Sequence, residues 1–245
     1  MNIESFVISL DRATERKPQV ARIKSLSPVV CHELSAIDGR LLSPEERDRW
    51  VQPYLYRPRY PFALRPGEIG VFLSHRKAWQ AIVDRNLDAG LILEDDVDID
   101  LTVFAPGFQL ASSRIAPQQI YKFGNKGNPL GASDGQPPQI TARKPIVVPL
   151  GATAQLVGIE AARRLLARTE TFDRPIDSFL QLSWLTGVEV IVVEPSGIAE
   201  VSHQLGGSTI QLKQRPVRET AYRNFIRPIY RSQIRAMSTW SALVS

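Results

Sequence analysis

The stretch Leu91-Ile92-Leu93-Glu94-Asp95-Asp96-Val97 runs three apolar residues straight into three adjacent carboxylates. A short apolar run of this kind predicts a buried strand. The carboxylates then fall at the strand's end, where ligand crevices open in α/β sheets. Side chains alternate along a strand, so Glu94 and Asp96 share a face while Asp95 points the other way. Like charges this close repel, and a divalent cation relieves the conflict; carboxylates suit the hard ions Mn²⁺ and Mg²⁺. A cation held there could bridge two phosphates and neutralise a leaving diphosphate. The competing reading is a polar strand exit open to water. Asp98 and Asp100 extend the acidic run, but an EF-hand loop is excluded. Its glycine and final carboxylate positions hold Leu101 and Gly107.

Other residues could join that chemistry. Arg12 and Arg16 follow the apolar strand Phe6–Leu10 at a strand-to-helix turn, where guanidinium forks could hold a phosphate or simply be solvated. His75 lies on the apolar stripe Val71, His75, Ala78, Ile82 of a helix predicted from Gly67 to about Asp84. It is either a core histidine with one hydrogen bond or a group lining a site. Asp177 falls in the first turn of a short predicted helix, as a general base or as an acid serving the helix dipole. Asp173 reads as that helix's cap.

These residues need a scaffold. The 245 residues suit one large α/β domain or two small ones. Strands predicted at 6–10, 29–34, 91–97, 121–123, 146–148 and 188–193 alternate with helical patterns, which argues for a mostly parallel sheet covered on both faces. Ser43-Pro44-Glu45-Glu46 is a capping box with Pro at the first helical position. Residues 51–66 crowd aromatics among prolines and arginines, either as a sugar- or lipid-facing wall or as anchors for a long loop. Residues 124–145 carry four glycines and four prolines, the mark of a covering loop or a disordered excursion.

The net charge of +5 favours anionic partners. Seven cations and one acid lie between Lys213 and Arg235. That concentration argues against a nucleic-acid face and for either an anionic membrane surface or a helix packed on the domain. Cys31 is the single cysteine, so no internal disulfide or CxxC zinc site is available. No Walker-type phosphate loop is present. The N-terminus lacks a signal-peptide n-region, and no apolar run reaches the roughly 18 residues of a membrane span, so a cytoplasmic protein is expected.

Several stretches in order are together distinctive: Phe6-Val7-Ile8-Ser9-Leu10-Asp11-Arg12 with Arg16, Ala36-Ile37-Asp38-Gly39, Gly67-Glu68-Ile69-Gly70 with Ser74-His75, the Leu91–Asp96 run, Pro175-Ile176-Asp177 and Ser208-Thr209-Ile210. The set resembles glycosyltransferase family 25, the lipooligosaccharide and collagen galactosyltransferase family, over roughly residues 4–210. The resemblance implies a GT-A-type, Rossmann-like α/β fold with a mostly parallel central sheet flanked by helices. It divides the chain into a transferase domain over 1–212 and a basic amphipathic tail over 213–245. It implies inverting transfer of a hexose, usually galactose, from a UDP-sugar to a saccharide or glycolipid acceptor in surface-glycan synthesis, with Mn²⁺ or Mg²⁺. Asp96, Glu94 and His203 would hold the metal. Ser9, Arg12, Arg16, Asp38, Gly39, His75, Glu94 and Asp95 would hold the donor, and Asp177 would be the base. The tail would place the enzyme on the inner face of the cytoplasmic membrane. One departure is Gln155, where the family commonly has an aromatic; lining the sugar site, it would imply a non-standard donor or acceptor. The alternatives are a degenerate member that only binds nucleotide or glycan, and a transferase with another donor sugar.

Overall fold

The structure, a computed structural model, describes residues 1–124, 139–202 and 217–244, with backbone alone over 217–223. Its strands are β1 (Ile3–Ser9), β2 (Cys31–Ser35), β3 (Ala89–Glu94), β4 (Val97–Ile99), β5 (Gln119–Phe123), β6 (Thr141–Arg143), β7 (Ala154–Gly158), β8 (Glu189–Glu194) and β9 (Ile198–Glu200). Its helices are α1 (Lys17–Leu26), α2 (Pro44–Trp50), α3 (Pro66–Asp84), α4 (Leu101–Arg114), α5 (Ile159–Arg168), α6 (Ile176–Phe179), α7 (Ser183–Thr186) and α8 (Val217–Val244).

Seven strands form one sheet in the order β2-β1-β3-β7-β5-β8-β6. The pairs β1–β2, β1–β3 and β5–β8 are parallel, while β7 runs against both β3 and β5 and β6 runs against β8. Five strands therefore share one direction, and the sheet is mostly parallel, as the alternation of elements predicts. β4 and β9 pair separately. Period-two alternation builds a core on each face. Phe6, Ile8 and Ile92 face the cluster containing Phe72, Trp79 and Leu165, whereas Val7, Leu91 and Leu93 face Ile23, Phe104 and Phe108. Leu91, Ile92 and Leu93 are fully buried, each contributing about 1.5–3 kcal/mol. That burial fixes where the chain must emerge, with Glu94 at the strand's last position.

Local chemistry sets several boundaries. Ser43 accepts from the Glu46 amide at 3.1 Å and Glu46 returns the bond at 2.7 Å, the expected capping box. Gly39 and Gly70 let the chain after β2 meet α3 backbone to backbone. A Cβ on Gly39 would lie 1.7 Å from the Pro66 carbonyl oxygen. Two expectations fail, and one helix runs through a proline. Residues 146–148 form no strand, because Pro145 and Pro149 bracket them; the strand is β6 instead. α8 runs through Pro228 without a break. Asp173 does not cap α6, whose N-cap is Pro175; its carboxylate is committed to Arg174.

Arg174 is a buried hub. Its Nε donates to Asp173 Oδ1 at 2.6 Å and its Nη2 to Asp173 Oδ2 at 2.9 Å. Nη1 donates to the Tyr230 hydroxyl at 3.0 Å, and Nη2 to the carbonyls of Tyr56 and Pro58 at 3.1 and 3.0 Å. One guanidinium thus ties the aromatic loop, the approach to α6 and α8 together. Tyr56 and Tyr60 anchor that loop, Tyr60 edge-on to Tyr230 at 5.5 Å. The tail helix is seated on the domain, since Tyr230 and Ile234 belong to its core. Arg174→Met should destabilise the protein by about 3–5 kcal/mol in urea unfolding, because Asp173 is left buried and unpaired. A loss below about 1 kcal/mol would show that the hub does not hold these segments.

Candidate functional site

The parallel strands β1, β2 and β3 all end on one edge of the sheet, with Ser9 opposite Ser35 and Ile8 opposite Glu94. The reversed strand β7 begins on the same edge, where the Glu94 amide donates to the Thr153 carbonyl at 2.9 Å. Two depressions open there. A narrow crevice of about 70 Å³ is lined by Arg12, Arg16, Asp38, Gly39, His75 and the three carboxylates, among others. A cleft of about 1050 Å³ is lined by Glu94, Asp96, Asp177, the 145–153 segment and the cleft-facing side of α8. Glu94 and Asp96 belong to both. The larger volume tops the usual range of roughly 300–1,000 Å³ for small-molecule sites, which leaves room for two substrates.

Each carboxylate of the run has its own environment. Asp95 is buried and paired with Arg16, itself only 3% exposed. Glu94 receives His75, whose Nε2 lies 3.2 Å from Oε1. Asp96 is 3.8 Å from Arg16, and its buried Oδ1 has no hydrogen-bond partner. Burial, then the charges of Glu94 and Asp95, push the Asp96 carboxyl up to about 7. The expected split holds in the large cleft, where Glu94 and Asp96 appear and Asp95 does not. An unpartnered oxygen on a carboxyl repelled by its neighbours is where a cation would fit. Among the described residues no group of three or more potential metal ligands assembles. One or two carboxylates completed by substrate phosphates suffice for Mg²⁺-type sites, so Asp96 and Glu94 fit that pattern. His203 and the 208–210 motif lie outside the described residues.

The remaining expected residues sort by geometry. Arg12, 47% exposed, pairs with Asp38 at the crevice mouth. Burial pushes the Asp38 carboxyl up, but Arg12 and the Arg40 amide outweigh it and hold it below the usual range. Arg16 is a buried counter-ion to Asp95, not a solvated basic turn. Ser9 is buried and lines neither depression. His75 fits both readings at once, since it is a core histidine with one hydrogen bond and that bond holds Glu94. Asp98 pairs with Arg22 at 2.9 Å and Asp100 caps α4, so neither joins the site. Gln155 is fully buried and lines neither depression; its amide donates to the Ala152 carbonyl at 2.9 Å. It shapes the turn before β7 and carries no argument for an unusual sugar.

Asp177 lies across the sequence from the run but in the same cleft. Its carboxylate accepts from the Ser178 amide at 2.6 Å, the Ser178 hydroxyl at 3.3 Å and the Gly151 amide at 3.3 Å. Lys122, which no motif singles out, feels the charge of Asp177; it is 1% exposed and donates to the Pro149 carbonyl. Burial pulls the Lys122 ammonium down to about 8, against the opposing pull of Asp177 and Glu94.

Comparisons with known proteins bear on this edge of the sheet. Residues 2–123 match the family described as glycosyltransferase family 25 (LPS biosynthesis protein). The chain is 35% identical over 97 residues to procollagen galactosyltransferase 2 of Mus musculus, 38% of this chain and 16% of that protein. It is 26% identical over 195 residues to procollagen galactosyltransferase 1 of Danio rerio, 74% of this chain and 31% of that protein. A further mouse relative, 32% identical over 97 residues, is named inactive glycosyltransferase 25 family member 3. The chain thus spans less than a third of the length of these curated relatives. A solved glycosyltransferase involved in glycosylation of the major capsid of PBCV-1 aligns over 78% of this chain and 82% of its own, with a TM-score of 0.41 and 12% identity. The matched residues contain β1, the Arg12–Arg16 turn, β2, α3 and the whole carboxylate run, all the elements of the crevice, and over them the chain is similar to glycosyltransferase family 25.

Proposed function

We propose that the chain transfers a hexose, galactose in the first instance, from a UDP-sugar to a saccharide acceptor with inversion, in surface-glycan synthesis. The observation that carries this reading is the shared position of Glu94 and Asp96. They join a crevice holding Arg12 and Asp38 to a cleft holding Asp177. The galactose and the glycan setting follow the names of the family and its relatives.

In this reading Arg12 and Asp38 bind the nucleotide at the crevice mouth, and Gly39 lets the backbone approach it. Arg16 and His75 position Asp95 and Glu94 from behind. A divalent cation, Mn²⁺ or Mg²⁺, held by Asp96 and Glu94 would offset charge on the departing UDP. Asp177 takes the acceptor hydroxyl's proton as that oxygen bonds to the anomeric carbon and the bond to UDP breaks. Its bonds from Gly151 and Ser178 fix the carboxylate before substrate arrives. Attachment to an anionic membrane at the inner face of the cell has a narrower basis than the tail's charge alone suggests. Arg227, Arg231 and Arg235 line the cleft. No helix among the described residues is long and apolar enough to cross a membrane.

Asp177→Asn keeps an acceptor for the Ser178 amide, gives up only the longer 3.3 Å bond from the Gly151 amide, and should lower kcat by about 10²-fold or more while leaving donor binding intact. Steady-state kinetics with UDP-galactose, beside calorimetric donor binding, read this directly. Near-normal kcat would remove Asp177 as the base. Asp96→Asn, or EDTA, should abolish turnover; activity unchanged by chelation would remove the cation.

The raised acidity constant of Asp96 gives a separate, activity-free test. The folded protein keeps that proton to about pH 7. The unfolded chain releases it near pH 3.9, roughly the ordinary aspartate value. Between those values the folded state binds more protons, so the stability it contributes is lost as pH rises. With metal chelated, Asp96→Asn should raise Tm by about 2–4 °C or more at pH 8 and by roughly a third as much at pH 5. An equal effect at both pH values would contradict the repulsion.

A further inference from the structure

We propose that α8 forms an anion-binding wall for the acceptor, so that the enzyme takes a saccharide bearing a phosphate or carboxylate. The inference rests on the transferase reading and names its acceptor class. Arg227, Arg231 and Arg235 recur every four residues on α8, and all three line the large cleft. At 1.5 Å rise per residue they form a row about 12 Å long. Like charges four apart destabilise a helix by a few tenths of a kcal/mol per pair, so an uncompensated row needs a cause. Arg231 and Arg235 form no ion pair with any described residue, and Arg227 lies 6.0 Å from the centre of the Phe62 ring. The other cleft arginine outside α3's start, Arg143, is committed to Glu194 at 2.9 Å.

The cleft therefore carries both signs of charge. Glu68, Glu94, Asp96, Asp177 and Glu200 line it together with the α8 row, whose Arg231 and Arg235 no described acid pairs. A neutral sugar gains nothing from that field. An acceptor with one anionic group is turned by it, the anion toward α8 and the free hydroxyls toward Asp177. Guanidinium forks match phosphate and carboxylate oxygens in pairs. The wall is also held in register with the base. Tyr230 and Ile234, beside the row and lining the same cleft, are buried in the domain core, and the Tyr230 hydroxyl is bonded to Arg174, three residues before Asp177.

The test compares glucose, glucose 6-phosphate and glucuronate as ligands of the full chain, by calorimetry and as acceptors from UDP-galactose. The wild type should prefer both charged sugars over glucose by about tenfold or more, which is about 1.4 kcal/mol, and high salt should erase the preference. Arg231→Gln with Arg235→Gln should bring the ratio of charged to neutral affinity to about one, and the corresponding double lysine variant should restore part of it. A wild type without preference, or a double glutamine variant that keeps it, would overturn the inference. A preference for phosphate alone or carboxylate alone supports it and identifies the anion. Phosphatidylglycerol vesicles that bind wild type but not the double variant, with the sugar ratio unmoved, would make the row a membrane contact and overturn it. Calorimetry needs no turnover. Charged-sugar preference without any UDP release would leave the wall standing and sink the transferase reading; UDP release without preference would do the reverse.

Discussion

The structure turns on crowding three carboxylates at the end of a strand that is otherwise wholly apolar. The fold can carry them because Leu91, Ile92 and Leu93 together bring about 5–9 kcal/mol of burial. The relief is distributed unevenly. Asp95 has a full counter-ion in Arg16. Glu94 has a histidine that itself lies 0% exposed. Asp96 has only the more distant reach of Arg16 at 3.8 Å and one oxygen without a partner, and its carboxyl rises to about 7. A chain selected only for stability would have replaced that third acid. Local conflicts of this kind, left standing in a well-packed core, are where function is expected. The unevenness separates the carboxylates: Asp95 is committed to Arg16, and Asp96 keeps an oxygen without a partner.

The two halves of the chain contribute different things to that conflict. The half matched by the family supplies the carboxylates, their counter-ions and the crevice. The other half supplies the reversed strand β7, the 145–153 segment, Asp177 and α8. β7 matters because it enters the sheet from the ligand edge, so the turn before it lies beside Glu94. The segment ahead of it is then spread across the cleft, where Asp177 accepts the Gly151 amide. Arg174 ties this second half together from behind.

Much of this was legible in the sequence, and the losses have physical causes. β1, β3 and α3 follow from hydrophobic period, and the Ser43 box from local rules of capping. The acidic run pointed to the site because strand ends open at a sheet's edge. β7 was missed as a strand because Gln155 interrupts its apolar pattern, although the side chain is fully buried and bonded within its own turn. α4 was missed because Pro106 and Gly107 sit inside it. Residues 146–148 looked like a strand because apolar β-branched residues report burial or β geometry alike, and only tertiary placement separates them. Asp173 looked like a cap because its real partner, Arg174, is adjacent in sequence, and adjacency gives no sign of an ion pair. Arg16 was open between phosphate ligand and solvated turn; its burial against Asp95 excludes the solvated turn.

Lys122 explains how the acidic end of the cleft stays tolerable. Three carboxylates there, Glu94, Asp96 and Asp177, would repel one another by about 1–4 kcal/mol per close pair at the effective dielectric of a partly buried site. Water relieves some of this, and Arg16 faces Asp95 and Asp96 on the crevice side. On the cleft side the described cation that feels both Glu94 and Asp177 is Lys122. It is buried on β5, one strand beyond β7, with its ammonium donating to the Pro149 carbonyl. Desolvation costs that ammonium enough to bring it down to about 8, yet the two acids keep it charged through the neutral range. Its position therefore links two needs. The charge lowers the repulsion among the acids, and the hydrogen bond pins the segment that forms the cleft wall beside Gly151. A neutral side chain of similar length could fill the space but would supply neither the donor nor the field, so the polar layer under the cleft belongs to the site as much as the residues that line it.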